Sequence, residues 1–505
     1  MWRSHITAGM RKGNSQMAKR IGRRSFLKVI GLGLGLGAAA AAIAIPRRIL
    51  AVEPAPGASG AARRPNVILC MADDMGWGDT GYNGHPIIKT PTLDEMARTA
   101  VKFDRFYSGA PVCSPTRGSC LTGRHPYRYG IFFANVGHMP KEEVTLAEVL
   151  GGLGYATGHF GKWHLGTLTK LTKDANRGGP GGVKDYSPPW ENGFQTCFST
   201  ESKVPTCDPM KSPGSGKPYG THYWSGPEQV VTDNLDGDDS RIIMDRAVPF
   251  IRKAVGEKKP FFAVVWFHAP HLPVLAGPEH RKLYADQPDG AQNYLGCISA
   301  LDDQVARLRK ELRALGVAEN TMLWFCSDNG PEEPKKTPNN GSAGPLRGRK
   351  RSLYEGGIRV PGLLEWPARF ARPMTLAAPC GTEDYFPTIL AALGYELKPG
   401  QKVLPLDGVN ILPLLEGKQA GRNRPMGRQS TGQLAFIDDQ YKLIRPKPGQ
   451  PWQLYDLLAD MGESKDIAAE KPEIVAKMSK TALDWQASCA KSLEGADYHK
   501  DDGGD

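Results

Sequence analysis

Several short runs in the chain hold residues suited to chemistry on an anionic group. Asp73-Asp74 and Asp328-Asn329 offer three carboxylates and an amide oxygen. Such hard oxygen donors suit Ca²⁺ or Mg²⁺ rather than zinc. An Asp-Asp pair by itself more often caps a helix or makes a turn. The second pair, inside Ser327-Asp328-Asn329-Gly330, makes the two together a candidate cation site. Lys162 and His164 lie two residues apart in Gly161-Lys162-Trp163-His164-Leu165-Gly166, a spacing that puts both on one face of an extended segment. Trp266-Phe267-His268-Ala269-Pro270-His271 supplies two imidazoles, which carry protons near neutral pH. Cys113-Ser114-Pro115-Thr116-Arg117-Gly118-Ser119 places a cysteine at a helix start, because proline is tolerated in a first turn. A helix N-terminus favours an anion, and Arg117 could pair with it. Ser114 is expected to cap or to hydrogen-bond locally, and Cys120 to pack in the core.

These runs need elements to hold them. Asn66–Met71, Phe261–Phe267 and Thr321–Cys326 are short apolar runs that read as buried strands, and Tyr155–Phe160 is strand-like. Helical patterns lie between them at Leu93–Thr99, Thr145–Leu153, Ser240–Ala254, Ala291–Leu315 and Asp384–Leu393. Alternation of this kind predicts an α/β fold, a mostly parallel central sheet sandwiched by helices. Ligands in such folds bind beyond the carboxyl ends of the strands, where these motifs sit. Residues 167–237 are rich in Gly, Pro and Ser without a clear period, the mark of a functional insertion. Their Thr221-His222-Tyr223-Trp224 could offer aromatic faces to a sugar or could pack the loop. From about Asn423 the pattern changes. Leu434–Ile437, Tyr441–Ile444 and Gln453–Tyr455 read as short strands and Pro472–Ser488 as a helix, predicting a small antiparallel sheet plus helix over 423–494. Residues 495–505 form a polar tail.

Taken in order, the motifs resemble those of the type I sulfatases of the alkaline-phosphatase-like superfamily. The resemblance runs from Asp73 to Gly357, and Leu454-Tyr455-Asp456 with Gly462-Glu463 is similar to the family's small domain. It implies a sulfuric ester hydrolase in which a maturation enzyme oxidises Cys113 to formylglycine. One Ca²⁺, or Mg²⁺, would be held by Asp73, Asp74, Asp328, Asn329 and the modified residue 113. Arg117 would stabilise an oxygen of the hydrated aldehyde as it attacks sulfur. Lys162 and Lys350 would bind sulfate oxygens, and His164 would take the proton whose loss releases sulfate. His268, followed by a residue and proline, matches the family's proton donor to the leaving alcohol. His271 is the competitor, otherwise lining the substrate pocket. The family has glycines around its second lysine where this chain has Arg349 and Arg351, predicting extra positive charge at the mouth of the site. A sulfated glycan is the expected substrate class, approached as the N-acetylgalactosamine-6-sulfatases do, or an aryl sulfate as surrogate. The alternatives are a phosphonate or phosphodiester hydrolase of the same superfamily, or a glycan-binding relative without catalysis.

The chain has 505 residues and a formal charge of +11. Residues 1–64 hold 12 of its 64 Lys/Arg and one of its 53 Asp/Glu, so the remainder is formally neutral. The basicity belongs to the leader, which removes nucleic acid as an expected partner. Arg23-Arg24-Ser25-Phe26-Leu27-Lys28, followed by the Gly/Ala-rich run Val29–Ile45, reads as a twin-arginine export signal within residues 1–51. The run is too weakly apolar to favour a permanent anchor. Ala42-Ile43-Ala44 and Ala51 are two cleavage candidates, and Met17 is a second candidate start. A linker spans 52–64 and the catalytic domain 65–422. The expected location is the periplasm or the outside of a bacterium, with the twin-arginine machinery as an export partner. Nine cysteines lack metal-ligand spacing, and only Cys197 and Cys207 suggest a loop disulfide.

Overall fold

In a buried parallel strand both faces meet apolar neighbours, so branched and apolar residues run on without alternation. The computed structural model, which describes residues 64–334, 341–395 and 404–498, shows this in its central strands. The proposed leader, the linker as far as residue 63 and the tail from residue 499 lie outside the described residues. The strands are β1 (Asn66–Ala72), β2 (Val101–Phe103), β3 (Phe106–Tyr107), β4 (Ala156–Lys162), β5 (Thr196–Thr200), β6 (Tyr223–Gly226), β7 (Gln229–Val231), β8 (Phe261–Trp266) and β9 (Thr321–Ser327). They continue as β10 (Arg359–Val360), β11 (Gly362–Glu365), β12 (Met374–Leu376), β13 (Cys380–Gly381), β14 (Met426–Ser430), β15 (Gln433–Ile437), β16 (Tyr441–Arg445) and β17 (Gln453–Asp456). The helices are α1 (Pro91–Thr99), α2 (Cys113–Thr122), α3 (Leu146–Gly152), α4 (Asp239–Gly256), α5 (Pro278–Lys282) and α6 (Asp289–Ala314). Then follow α7 (Glu355–Ile358), α8 (Tyr385–Ala392), α9 (Leu412–Leu415) and α10 (Pro472–Leu493).

Ten strands form the main sheet in the order β12-β2-β11-β9-β1-β8-β4-β5-β6-β7. Its centre, β9-β1-β8-β4-β5, is parallel throughout. Antiparallel neighbours flank it at both sides. Alternate residues of β1 enter different cores. Val67, Leu69 and Met71 pack with residues of α2, α3 and α8. Ile68, Cys70 and Ala72 pack with residues of α1, α4 and α6. Helices therefore cover both faces, as the alternation of elements predicted.

Residues 167–237 are not simply a loop. They contribute β5, β6 and β7, extending the main sheet past β4. The two cysteines expected to pair here are both free thiols: Cys197 lies buried within β5, while Cys207 pairs by backbone with Asp238. Beyond residue 423, β14-β15-β16-β17 form an antiparallel meander. One face meets Met478 and Ala482 of α10. The other meets Tyr107, Leu353 and Ile358 of the main domain.

Candidate active site

The register of the parallel strands brings the motifs together. Ala72 of β1 pairs with Ser327 of β9, so Asp73-Asp74 and Asp328-Asn329 leave adjacent strand ends side by side. The Asp74 amide donates to Asp328 Oδ1 at 3.1 Å, and Asn329 Nδ2 donates to Asp74 Oδ1 at 2.8 Å. Asp73 N–H reaches the carbonyl of Ala269, which ties β1 to the turn after β8. Gly330 is required by its surroundings: a Cβ there would stand 1.9 Å from the Gly356 carbonyl oxygen. That contact draws the segment bearing Lys350 onto the end of β9.

Cys113 is the first residue of α2 and is fully buried. Its Sγ lies 3.3 Å from Asp73 Oδ1 and 3.9 Å from Asp74 Oδ1. Burial, with Asp328 and Asp73 nearby, raises the thiol well above its ordinary range. Three cations face the acids. Lys162 Nζ lies 2.5 Å from Asp73 Oδ2, Lys350 Nζ 2.7 Å from Asp74 Oδ2, and Arg117 Nη2 2.7 Å from Asp328 Oδ2. Arg117 also donates to the Lys162 carbonyl at 3.0 Å. Burial opposes charge on Asp73, but Lys162, His271, Arg117 and Lys350 hold it well below the carboxylate range. Burial and the Asp73 charge push Asp328 up to about 7. Lys350 resists the pull of burial because Asp74 keeps it protonated. Asn329 Oδ1 is buried with no hydrogen-bond partner, leaving one oxygen donor free beside three converging carboxylates. This donor set fits a hard divalent cation.

Residues 65–395 match the family model described as Sulfatase. The chain belongs to the sulfatase family. Over 407 residues it is 33% identical to arylsulfatase G of Rattus norvegicus, covering 74% of this chain and 72% of the relative. It is 32% identical to N-acetylgalactosamine-6-sulfatase of Homo sapiens, covering 72% and 69%. Among solved structures, Ps i-CgsB in complex with k-i-k-neocarrahexaose superposes with a TM-score of 0.72 at 26% identity, covering 86% of this chain and 97% of that one. The sulfatase is thus a sulfuric ester hydrolase on an alkaline-phosphatase-like fold.

Several expected site residues of the sulfatase stand elsewhere than the motifs suggested. His268 was expected to donate a proton to the leaving alcohol, yet both its ring nitrogens are engaged inside the protein. Nδ1 meets Asp239 Oδ2 and Nε2 meets Thr200 Oγ1, each at 2.8 Å. His271, its competitor, stands at the cluster with Nε2 3.6 Å from Asp74 Oδ2, and is grouped with Asp73, Asp74 and Cys113. Burial lowers it to about 4 against the pull of Asp74 and Asp73. The turn His271 N–H to His268 O, 2.7 Å, explains the exchange: it reverses the chain, so the inner histidine packs and the outer one projects. Tyr223 and Trp224 are fully buried and cannot stack on a sugar. Tyr223 stacks on Phe198 at 4.0 Å and Trp224 Nε1 donates to Asp174 at 3.0 Å, so they pack the loop. His222, about one-third exposed, bonds Asp174 Oδ1 at 2.9 Å. Of the two extra arginines, Arg351 is matched by a carboxylate, whereas Arg349 meets only backbone carbonyls and keeps its positive charge. Arg351 forks onto Glu332, and Arg349 donates to the carbonyls of Glu332 and Gly341.

His164 does join the site, but by a different route from strand alternation. β4 ends at Lys162, Gly161 has φ +102° and His164 has φ +60°. The left-handed step turns the buried ring to where Lys162, Arg117 and Asp73 act on it. Burial and the two cations hold it well below the ordinary imidazole value. Sequence reasoning missed Asn135, whose Oδ1 lies 3.0 Å from His164 Nε2. Ser114 Oγ accepts from the Asn135 amide at 3.4 Å, rather than bonding locally. The only signal for Asn135 was turn chemistry, since Asn, here in Ala134-Asn135-Val136-Gly137, suits a left-handed position. Lys203 was also missed. It is half-buried and pushed below the ordinary lysine value by burial, with Lys162 and Lys350 adding to the effect.

Proposed function

We propose that this sulfatase removes sulfate from a sulfated glycan, using a formylglycine made from Cys113 and one divalent cation, Ca²⁺ or Mg²⁺. The observation that carries the reading is the convergence on Cys113 of Asp73, Asp74, Lys162, Lys350 and Arg117. A neutral, buried thiol is a poor nucleophile, which supports chemical conversion of this side chain before catalysis. The free Asn329 Oδ1 with Asp73, Asp74 and Asp328 supports an oxygen-bound cation. When present, the hydrated aldehyde supplies an oxygen nucleophile, and the cation offsets charge on the sulfuryl oxygens. The chain's own residues do the rest. Arg117 holds negative charge at residue 113. Lys162 and Lys350, each set against an aspartate, bind the sulfuryl oxygens, where a fixed cation in a dry site is most effective. Leu272 O accepts the Nδ1 proton of His271 at 2.7 Å, so the neutral ring presents the Nε2 lone pair to the cluster, and Nε2 must first take up a proton there before it can pass one to the departing alcohol. His164 receives the proton whose loss completes the cycle.

The glycan rests on relatives. One is named for N-acetylgalactosamine 6-sulfate chemistry and another is described in complex with a neocarrahexaose. The twin-arginine pattern supports export to the periplasm or beyond, with the maturation enzyme and the export machinery as partners. The deciding experiment is the mass of the Cys113 peptide from protein made in its native host. A peptide lighter than the cysteine form and trapped by a hydrazide is expected; unmodified cysteine throughout would overturn the nucleophile. Turnover on sulfated oligosaccharides should exceed that on an aryl sulfate, and the reverse ranking would overturn the glycan.

A further inference from the structure

The two ring nitrogens of His164 are not equivalent. Nε2 faces Asn135 Oδ1 at 3.0 Å, while Nδ1 is buried without a partner. The charged groups acting on the ring are Lys162, Arg117, Asp73 and Arg177, three of them cationic. An N–H at Nδ1 would be a buried donor with no acceptor, set among positive charges; a lone pair there is stabilised by the same charges. We propose that Asn135 is a positioning residue that fixes His164 as the Nε2–H tautomer, so that Nδ1 keeps a bare lone pair able to accept a proton. The hydrogen bond to one imidazole nitrogen decides the state of the other.

Local structure explains why asparagine serves. Residues Phe133–Val136 form a tight turn, with Val136 N–H donating to Phe133 O at 3.0 Å and Asn135 at φ +61°. Asparagine tolerates this left-handed conformation better than most residues and carries the acceptor as well. The turn is fastened on both sides: Asn135 N–H reaches Ser114 Oγ, and Arg177 Nη1 donates to Gly137 O at 2.7 Å. His164 itself is pinned by its amide on the Glu201 carbonyl at 3.0 Å. The acceptor and the ring are therefore both held, leaving the tautomer as the remaining variable.

The inference rests on His164 acting in the proposed reaction, but its first test needs no turnover. ¹⁵N shifts of His164 in the intact protein should show Nε2 protonated and Nδ1 unprotonated; Nδ1–H in the wild type would overturn the proposal. Asn135→Gly keeps the backbone conformation and removes the acceptor, whereas Asn135→Asp keeps both. Asn135→Gly should give a mixed tautomer signal and a kcat lowered about 10-fold or more with KM little changed, and Asn135→Asp should restore the single tautomer and most of kcat. Wild-type kcat in Asn135→Gly, or equal loss in both variants with the tautomer unchanged, would overturn it. Absence of sulfatase activity in a wild type that shows the Nε2–H tautomer would instead count against the proposed function.

Discussion

Charge is buried at two ends of this sulfatase, to opposite effect. Where the C-terminal helix meets the main domain, Asp407 accepts four hydrogen bonds, from His125 N, Arg128 Nε, Arg128 Nη2 and Trp485 Nε1. Asp384 is served likewise by Gly381 N, Val409 N and both Arg422 terminal nitrogens. At the strand ends, Asp73, Asp74 and Asp328 crowd one another, and Asn329 Oδ1 is left without a donor. Paired opposite charges with full hydrogen bonding serve structure, because breaking them strands a charge. Like charges pressed together with a donor to spare serve a ligand. Burial alone does not separate the two; satisfaction does.

Substitutions can break this comparison. Cys113→Ala should lower activity at least ~10⁴-fold while leaving the thermal midpoint within a few degrees of wild type. Asp328→Asn should lower kcat/KM about 10²–10³-fold and cost little stability, since relief of like-charge crowding offsets the weakened pair with Arg117, which keeps Asp73. Asp407→Ala should do the reverse, losing about 3–5 kcal/mol of stability with kcat/KM retained in the folded fraction. Denaturant melts beside steady-state kinetics check both, and exchanged outcomes would end the distinction. His271→Asn should cost about 10²-fold in kcat. His268→Asn should act first on the melting temperature, because Asp239 and Thr200 lose a shared partner.

The smallest effect concerns pH. Burial lowers His125 to about 3, whereas an unfolded chain protonates histidine near 6.5. Between those values the unfolded state binds the extra proton, so stability falls as pH falls, by about 1.4 kcal/mol per unit for one proton. Arg128 holds Asp407 below its ordinary value despite burial, which removes further stability as pH drops below about 4. Melts of His125→Gln against wild type from pH 7 to 4 should show the slope flattened in the variant.

Much of this was legible in the sequence, and the misses have a common cause. Asn66–Met71 and Thr321–Cys326 announced buried strands because parallel strands are apolar on both faces, and the acids at their ends followed. The C-terminal sheet and helix were readable from short strand-like runs such as Leu434–Ile437 and from the helical pattern that begins at Pro472. What stayed hidden depends on turns rather than periods. The reversal between His268 and His271 chooses the outer imidazole, and no spacing rule carries that information. Tyr223 and Trp224 looked available to a sugar because a Gly/Pro-rich stretch conceals the strand β5 against which they pack. Asn135 lies in no motif and acts only through a contact spanning 29 residues.

The tie between the small sheet and the main domain sets a schedule for biosynthesis. Lys442 is buried between Glu355 and Glu463, and Glu463 Oε2 accepts the Glu355 amide just beyond the Lys350 segment. That clasp cannot form until Glu463 has left the ribosome, about 350 residues after Cys113. At roughly 5–20 residues per second, this is an interval of about 20–70 s. Since Cys113 ends up sealed from solvent, any enzyme that acts on it works against that clock. Under the proposed conversion of Cys113, a host that translates faster than it modifies would accumulate well-folded, inert protein.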